Sequence, residues 1–140
     1  MTKLPASGPL PRPQDPEEGR ETLREEAIPA ADVQRVRLRA LEFTSLCPKT
    51  GQPDFGRVTI DYEPRDRCLE SKALKFYLWS FRDEGEFCET LAARIADDIV
   101  YAVAPRWVRV NVEQNVRGGI EIIAAAERGE PPAEDCQRTH

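Results

Sequence analysis

The sequence has a single histidine, His140, and it is the last residue. A site that needs imidazole as a base, or several imidazoles as metal ligands, has nothing to draw on, which removes many enzyme classes and leaves no metal site to expect. No two of the four cysteines (Cys47, Cys68, Cys88, Cys136) stand in CxxC spacing. There is no apolar run of the length of a signal peptide or membrane span, and the opening MTKLPASGPLPRPQD is polar and broken by proline. The expectation is a soluble, cytoplasmic protein whose cysteines are free thiols. Positive charge is not in excess either: 20 Lys and Arg against 25 Asp and Glu give a net charge of -5. That argues against a broad surface for nucleic acid or an anionic membrane.

What is present fits one domain, since 140 residues with 40% hydrophobic content can build one modest core. Six of the twelve prolines fall within residues 1–29, mixed with the charged run EEGRETLREE. Residues 1–30 are therefore expected to form a flexible arm, 31–126 the folded unit, and 127–140 a flexible tail.

Within the unit, Val36, Leu38 and Ala40 alternate with Arg35, Arg37 and Arg39, the period-2 pattern of a strand with one buried face. Leu41 and Phe43 then change phase, which predicts a bulge. Val58, Ile60 and Tyr62 mark a second strand beyond a Pro- and Gly-rich connection at 47–56. Val108, Val110 and Val112, then VRGG, then Ile120, Ile122 and Ala124 predict a second hairpin. Between the hairpins, Leu74, Tyr77, Leu78 and Phe81 predict a helix over about 70–82. Phe87, Leu91, Ile95 and Ile99 predict another over about 86–103, with Glu86 and Glu89 in its first turn and Pro105 as its stop. The order β-β-α-α-β-β implies an α+β layer: a four-stranded antiparallel sheet with two helices on one face. Such a sheet leaves two edges and a second face open, which predicts subunits joining edge to edge in a ring.

The stretch SLCPKTGQPDF places Cys47 and Asp54 on one irregular connection. A thiolate is a strong nucleophile, and a nearby carboxyl supplies the proton that addition to a C=N or C=O centre requires. The bland alternative is a small apolar Cys47 and a turn-forming Asp54. Cys88 competes as nucleophile, because it stands in the first turn of the second helix, although Glu86 and Glu89 beside it disfavour a thiolate. The first helix carries Lys72, Lys75, Trp79 and Arg82 as one basic stripe, and Arg117 adds a cation in VRGG. Together these suit a phosphate-bearing ligand, and with no GxGxxG or GxxxxGK[ST] a dinucleotide would bind without a Rossmann or P-loop element.

FTSLCPKTGQPDF (43–55) resembles the nucleophile loop of the NADPH-dependent 7-cyano-7-deazaguanine reductases of queuosine biosynthesis, the QueF family, in its short single-domain form. ESKALKFY (70–77) resembles the glutamate-serine-lysine motif that separates these reductases from their GTP cyclohydrolase I relatives, and the similarity runs on through GEFCE (85–89) and VRGGI (116–120). The resemblance implies the tunnelling fold (T-fold), with β-β-α-α-β-β subunits in a pentameric barrel, two such rings stacked, and active sites between subunits. It implies reduction of a nitrile to a primary amine through a covalent thioimide, with two hydrides from two NADPH. On this chain it makes Cys47 the nucleophile and Asp54 the proton donor, its acidity lowered by burial beside the ligand. Glu89, Glu70 and Ser71 become substrate-binding, and Lys72, Lys75 and Arg117 the cations for the cofactor phosphates. One departure is plain: the family commonly has histidine before the substrate-binding glutamate, and this chain has Cys88.

Two further readings accompany this one. An amidine-forming T-fold relative would use the same thioimide without NADPH, and the ESKALKF motif favours reduction. A non-catalytic nucleotide-binding module would require an aromatic ladder on the strands, and none is visible.

Overall fold

The computed structural model describes residues 4–133. In chain order the elements are α1 (Pro16–Glu25), β1 (Ile28–Pro29), β2 (Val36–Leu46), β3 (Pro53–Glu63), β4 (Arg67–Cys68), α2 (Ser71–Trp79), α3 (Cys88–Val103), β5 (Trp107–Arg117) and β6 (Ile120–Gly129). The four long strands form one antiparallel sheet in the order β2-β3-β5-β6, so β2 and β6 are its edges, while β1 and β4 pair separately. The α+β layer expected from the sequence is present, and no helix among the described residues is long and apolar enough to cross a membrane.

Alternation decides which face is buried. Val58, Ile60 and Tyr62 of β3 stand opposite Val112, Val110 and Val108 of β5, and all six are buried. Each aliphatic member contributes about 1.5–3 kcal/mol by leaving water. Leu74 and Tyr77 of α2 and Leu91, Ile95 and Ile99 of α3 belong to the same core. Tyr62 keeps its polar tip satisfied by accepting from the Leu69 amide at 2.9 Å. The opposite face is charged and internally paired: Arg37 meets Asp61 at 2.6 Å and Arg57 meets Glu113 at 3.6 Å.

The bulge falls where the phase change puts it. Ala40 pairs with Val58 and Phe43 with Gly56, so three steps along β2 match two along β3, one residue in excess. That extra residue returns Phe43 and Ser45 to the buried face. Gly56 is required there by close approach, since an added Cβ would lie 2.1 Å from the Glu113 carbonyl oxygen.

Four expectations need correction. Residues 1–30 are not simply a flexible arm: Asp15 caps α1 by accepting from the Glu18 amide at 2.9 Å, Pro16 occupies its first turn, and Thr22 and Leu23 are buried. Pro16 reads as a breaker by composition but is well placed at a helix start, where its missing N–H costs nothing. Arg20 ties α1 to α3, at 3.1 Å from Asp98 and 3.5 Å from the centre of the Tyr101 ring. Secondly, β3 begins at Pro53, so Asp54 lies on a strand opposite Ser45 and the connection shrinks to 47–52. Thirdly, α3 begins at Cys88, leaving Glu86 ahead of the helix, and α2 ends at Trp79. Fourthly, the 127–140 tail begins later than expected, because β6 runs on to Gly129; residues 134–140, with Cys136 and His140, lie outside the described residues.

Candidate functional site

The loop after β2 folds back on Cys47. Its amide donates to Gln52 O and its carbonyl accepts from Gly51 N, both at 2.8 Å, and Gly51 takes φ 72°, a left-handed value that glycine adopts freely. The turn Pro48-Lys49-Thr50 aims donors at the half-buried sulfur. The Thr50 hydroxyl, then the Thr50 and Lys49 amides, then Arg117 lower the thiol to about 7, near neutrality.

Cys88 is in the opposite state. Its sulfur is buried and donates to Val112 O at 3.3 Å, while burial and then the Glu89 charge push its thiol up. Of the two cysteines between which residue chemistry alone did not choose, Cys47 is thus the one with the lowered thiol and Cys88 the one with the raised thiol. A narrow pocket nevertheless brings Cys88 and Asp54 together with Phe43, Ser45, Val112 and Gln114.

Asp54 is buried, and the Arg117 guanidinium pairs with its carboxylate. Cys47, Asp54 and Arg117 thus meet at one end of the sheet. Arg117, expected among the phosphate cations, here faces both the Asp54 carboxylate and the Cys47 sulfur. Thr50 and Ser45 were missed by the sequence reading; a hydroxyl three residues past a thiol in a proline turn is the signal that points to Thr50.

The motif on α2 forms a separate group. Glu70, expected to bind substrate, is the N-cap, and its two carboxylate oxygens accept from the Lys72 and Ala73 amides at 2.9 Å each. Lys72 is half-buried and donates its ammonium to Pro5 O. Ser71 and Lys75 line an open groove of about 470 Å³ between β2 and α2, together with Arg39, Trp79 and Arg82. Three cations along one groove suit the phosphates of a dinucleotide, and the basic stripe read from the sequence accounts for two of them. Phe43 borders this groove and the Asp54 pocket alike. Glu89 is exposed in the first turn of α3.

The family described as QueF-like protein matches residues 53–133. A protein of Anaeromyxobacter sp. (strain Fw109-5) named NADPH-dependent 7-cyano-7-deazaguanine reductase is 56% identical over 92 residues, 66% of this chain and 75% of that protein. One of the same name from Alkalilimnicola ehrlichii is 52% identical over 94 residues, 67% of this chain and 73% of that one. Among solved structures, the archaeosine synthase QueF-Like in its apo form superposes with a TM-score of 0.68 at 29% identity, covering 73% of this chain and all of that one. With its T-fold strand order, its thiol loop and relatives more than half identical across most of their length, the chain belongs to the QueF family.

Proposed function

We propose that the protein reduces 7-cyano-7-deazaguanine to 7-aminomethyl-7-deazaguanine with NADPH, a small-molecule step of queuosine biosynthesis, the pathway that supplies a tRNA modification, and that Cys47 carries the substrate as a covalent thioimide. The observation that carries the reading is a thiol brought to about 7 whose neighbour Arg117 also pairs with the buried Asp54 carboxylate. A nitrile carbon is a weak electrophile, and covalent attachment replaces one hard reduction by steps on activated C=N species. Cys47 sulfur adds to the nitrile carbon, one C–N π bond breaks, and Asp54 delivers a proton to the nitrogen. Glu89 offers a carboxylate to the donor edge of the guanine-like ring. The dinucleotide, when bound, supplies hydride; Lys75, Arg39 and Arg82 of the β2/α2 groove hold its phosphates, with Lys72 joining them on leaving Pro5.

The active unit in this reading is a homo-oligomer, a pentameric ring or a stacked pair of rings, with sites between subunits. The open edges β2 and β6 and the exposed Leu41, Ile120 and Ile123 support it. Native mass spectrometry showing only a monomer would remove that part.

A second reading, amidine formation without NADPH, is favoured by the likeness to the archaeosine synthase. Counting NADPH consumed per nitrile separates the two. Two per nitrile supports reduction; a mass adduct on Cys47 with no NADPH consumed supports the amidine-forming reading.

A further inference from the structure

Arg117 closes β5 just past a register shift between Gln114 and Arg117, and Gly118 and Gly119, at φ 60° and 80°, form the turn that follows. From that position it pairs with Asp54 and reaches the Cys47 sulfur. The two groups it contacts come from different segments, the loop after β2 and the start of β3. Asp54 is buried, whereas the Arg117 side chain is 40% exposed at the hairpin tip.

We infer that Arg117 is a positioning residue that bridges Cys47 and Asp54 and holds them as a pair sharing one proton, which the pair passes to the nitrile nitrogen as the C–S bond forms. The inference rests on the covalent reading above. The step balances without a redox partner: an S–C bond forms, one C–N π bond breaks, and its electron pair takes the shared proton as N–H.

The physical reason lies in what each group does alone. A carboxyl buried among apolar side chains keeps its proton, and a thiol beside it then keeps its own, so the pair carries two protons and no nucleophile. A guanidinium facing both favours loss of one of them. Thr50 and the Lys49 and Thr50 amides act on the sulfur. On the narrow pocket that Asp54 lines, the other ionisable groups are Cys88 from α3, raised and therefore neutral, and Glu113 from β5, which faces Arg57 at 3.6 Å. Lys49 adds an exposed cation on the thiol loop.

The test is the pH dependence of Cys47 alkylation by iodoacetamide, followed by peptide mass mapping on the full chain, for wild type, Arg117→Gln, Arg117→Lys and Asp54→Asn. Wild type is expected to titrate with a midpoint near 7. Arg117→Gln moves the midpoint up and slows labelling at pH 6 by roughly threefold or more. Arg117→Lys keeps the charge and restores most of that loss; Asp54→Asn removes the anion and moves the midpoint down. An Arg117→Gln profile superimposed on wild type overturns the inference, and so does an equal displacement in Arg117→Lys, which would assign the effect to shape rather than charge. Mass adducts with 7-cyano-7-deazaguanine in the absence of NADPH are read in parallel. Shifted alkylation without any nitrile adduct in wild type sinks the covalent reading and leaves the bridge standing; an adduct with unshifted alkylation sinks the bridge alone.

Discussion

Leu46 and Gly85 form a parallel bridge that joins the end of β2 to the connection entering α3. The Leu46 amide donates to Glu84 O at 2.9 Å, and its carbonyl accepts from the Glu86 amide at 3.3 Å. Cys47 follows directly on one side and Glu89 stands three residues along on the other, so these two bonds hold the Cys47 loop against the first turn of α3.

Glu86→Pro removes the amide that donates to Leu46. The stability cost should be about 1 kcal/mol, the net value of one hydrogen bond. Nitrile adduct formation on Cys47 should fall further, by about tenfold or more, because small displacements of a positioned nucleophile cost rate steeply. Glu86→Ala serves as control, since it keeps the amide and loses only the pair with Arg94. Stopped-flow adduct formation beside a thermal melt makes the comparison; a folded Glu86→Pro protein reacting at the wild-type rate would contradict it.

Cys88 occupies the position where the family commonly has histidine, yet its raised thiol and its bond to Val112 O make it a packing residue. Cys88→Ala should lose about 1 kcal/mol of stability and keep adduct formation within about tenfold of wild type, whereas Cys47→Ala abolishes the adduct. At pH 7.5 iodoacetamide should mark Cys47 in the folded protein and reach Cys88 only after denaturation. Early labelling of Cys88 in peptide maps would reverse the assignment.

The strands, the bulge and the basic stripe were legible because each rests on a local pattern: alternation for Val108 to Val112, a phase change at Leu41 and Phe43, i+3 and i+4 spacing for Lys72 to Arg82. What was illegible depends on distant partners. α1 is short, and its proline and charges hide one amphipathic face; Leu23 becomes core only because α2 and α3 provide a surface for it. Arg117 read as a free cation, since nothing local indicates that a strand pairing brings it to Asp54. Glu70 read as a ligand group, and its second use went unseen: a Glu preceding an apolar run can also close a helix start, as it does for α2.

Asp98 gives the fold a pH dependence of defined sign. It is buried between α1, α2 and α3, accepting from the Tyr77 hydroxyl at 2.5 Å and facing Arg20 at 3.1 Å. Burial raises its carboxyl above the ordinary value; Tyr77, Arg20 and Arg94 oppose that rise, and Glu17 adds to it. The Tyr77 phenol is itself raised well above its usual range, chiefly by burial and then by the Asp98 charge, so it stays protonated through neutral pH. Because the folded state holds the Asp98 proton more tightly than the unfolded chain does, stability falls as pH rises through the raised value. The contribution is complete below the ordinary aspartate value of 3.8 and is lost above the folded one. Asp98→Asn removes the titration and keeps an acceptor for Tyr77, so the stability difference between wild type and variant should move in favour of the variant as pH climbs from 4 to 7. Urea unfolding at several pH values across that range measures the slope. A difference that is flat, or that moves in favour of wild type, would mean that the Arg20 pair outweighs burial and that Asp98 docks α1 as a carboxylate.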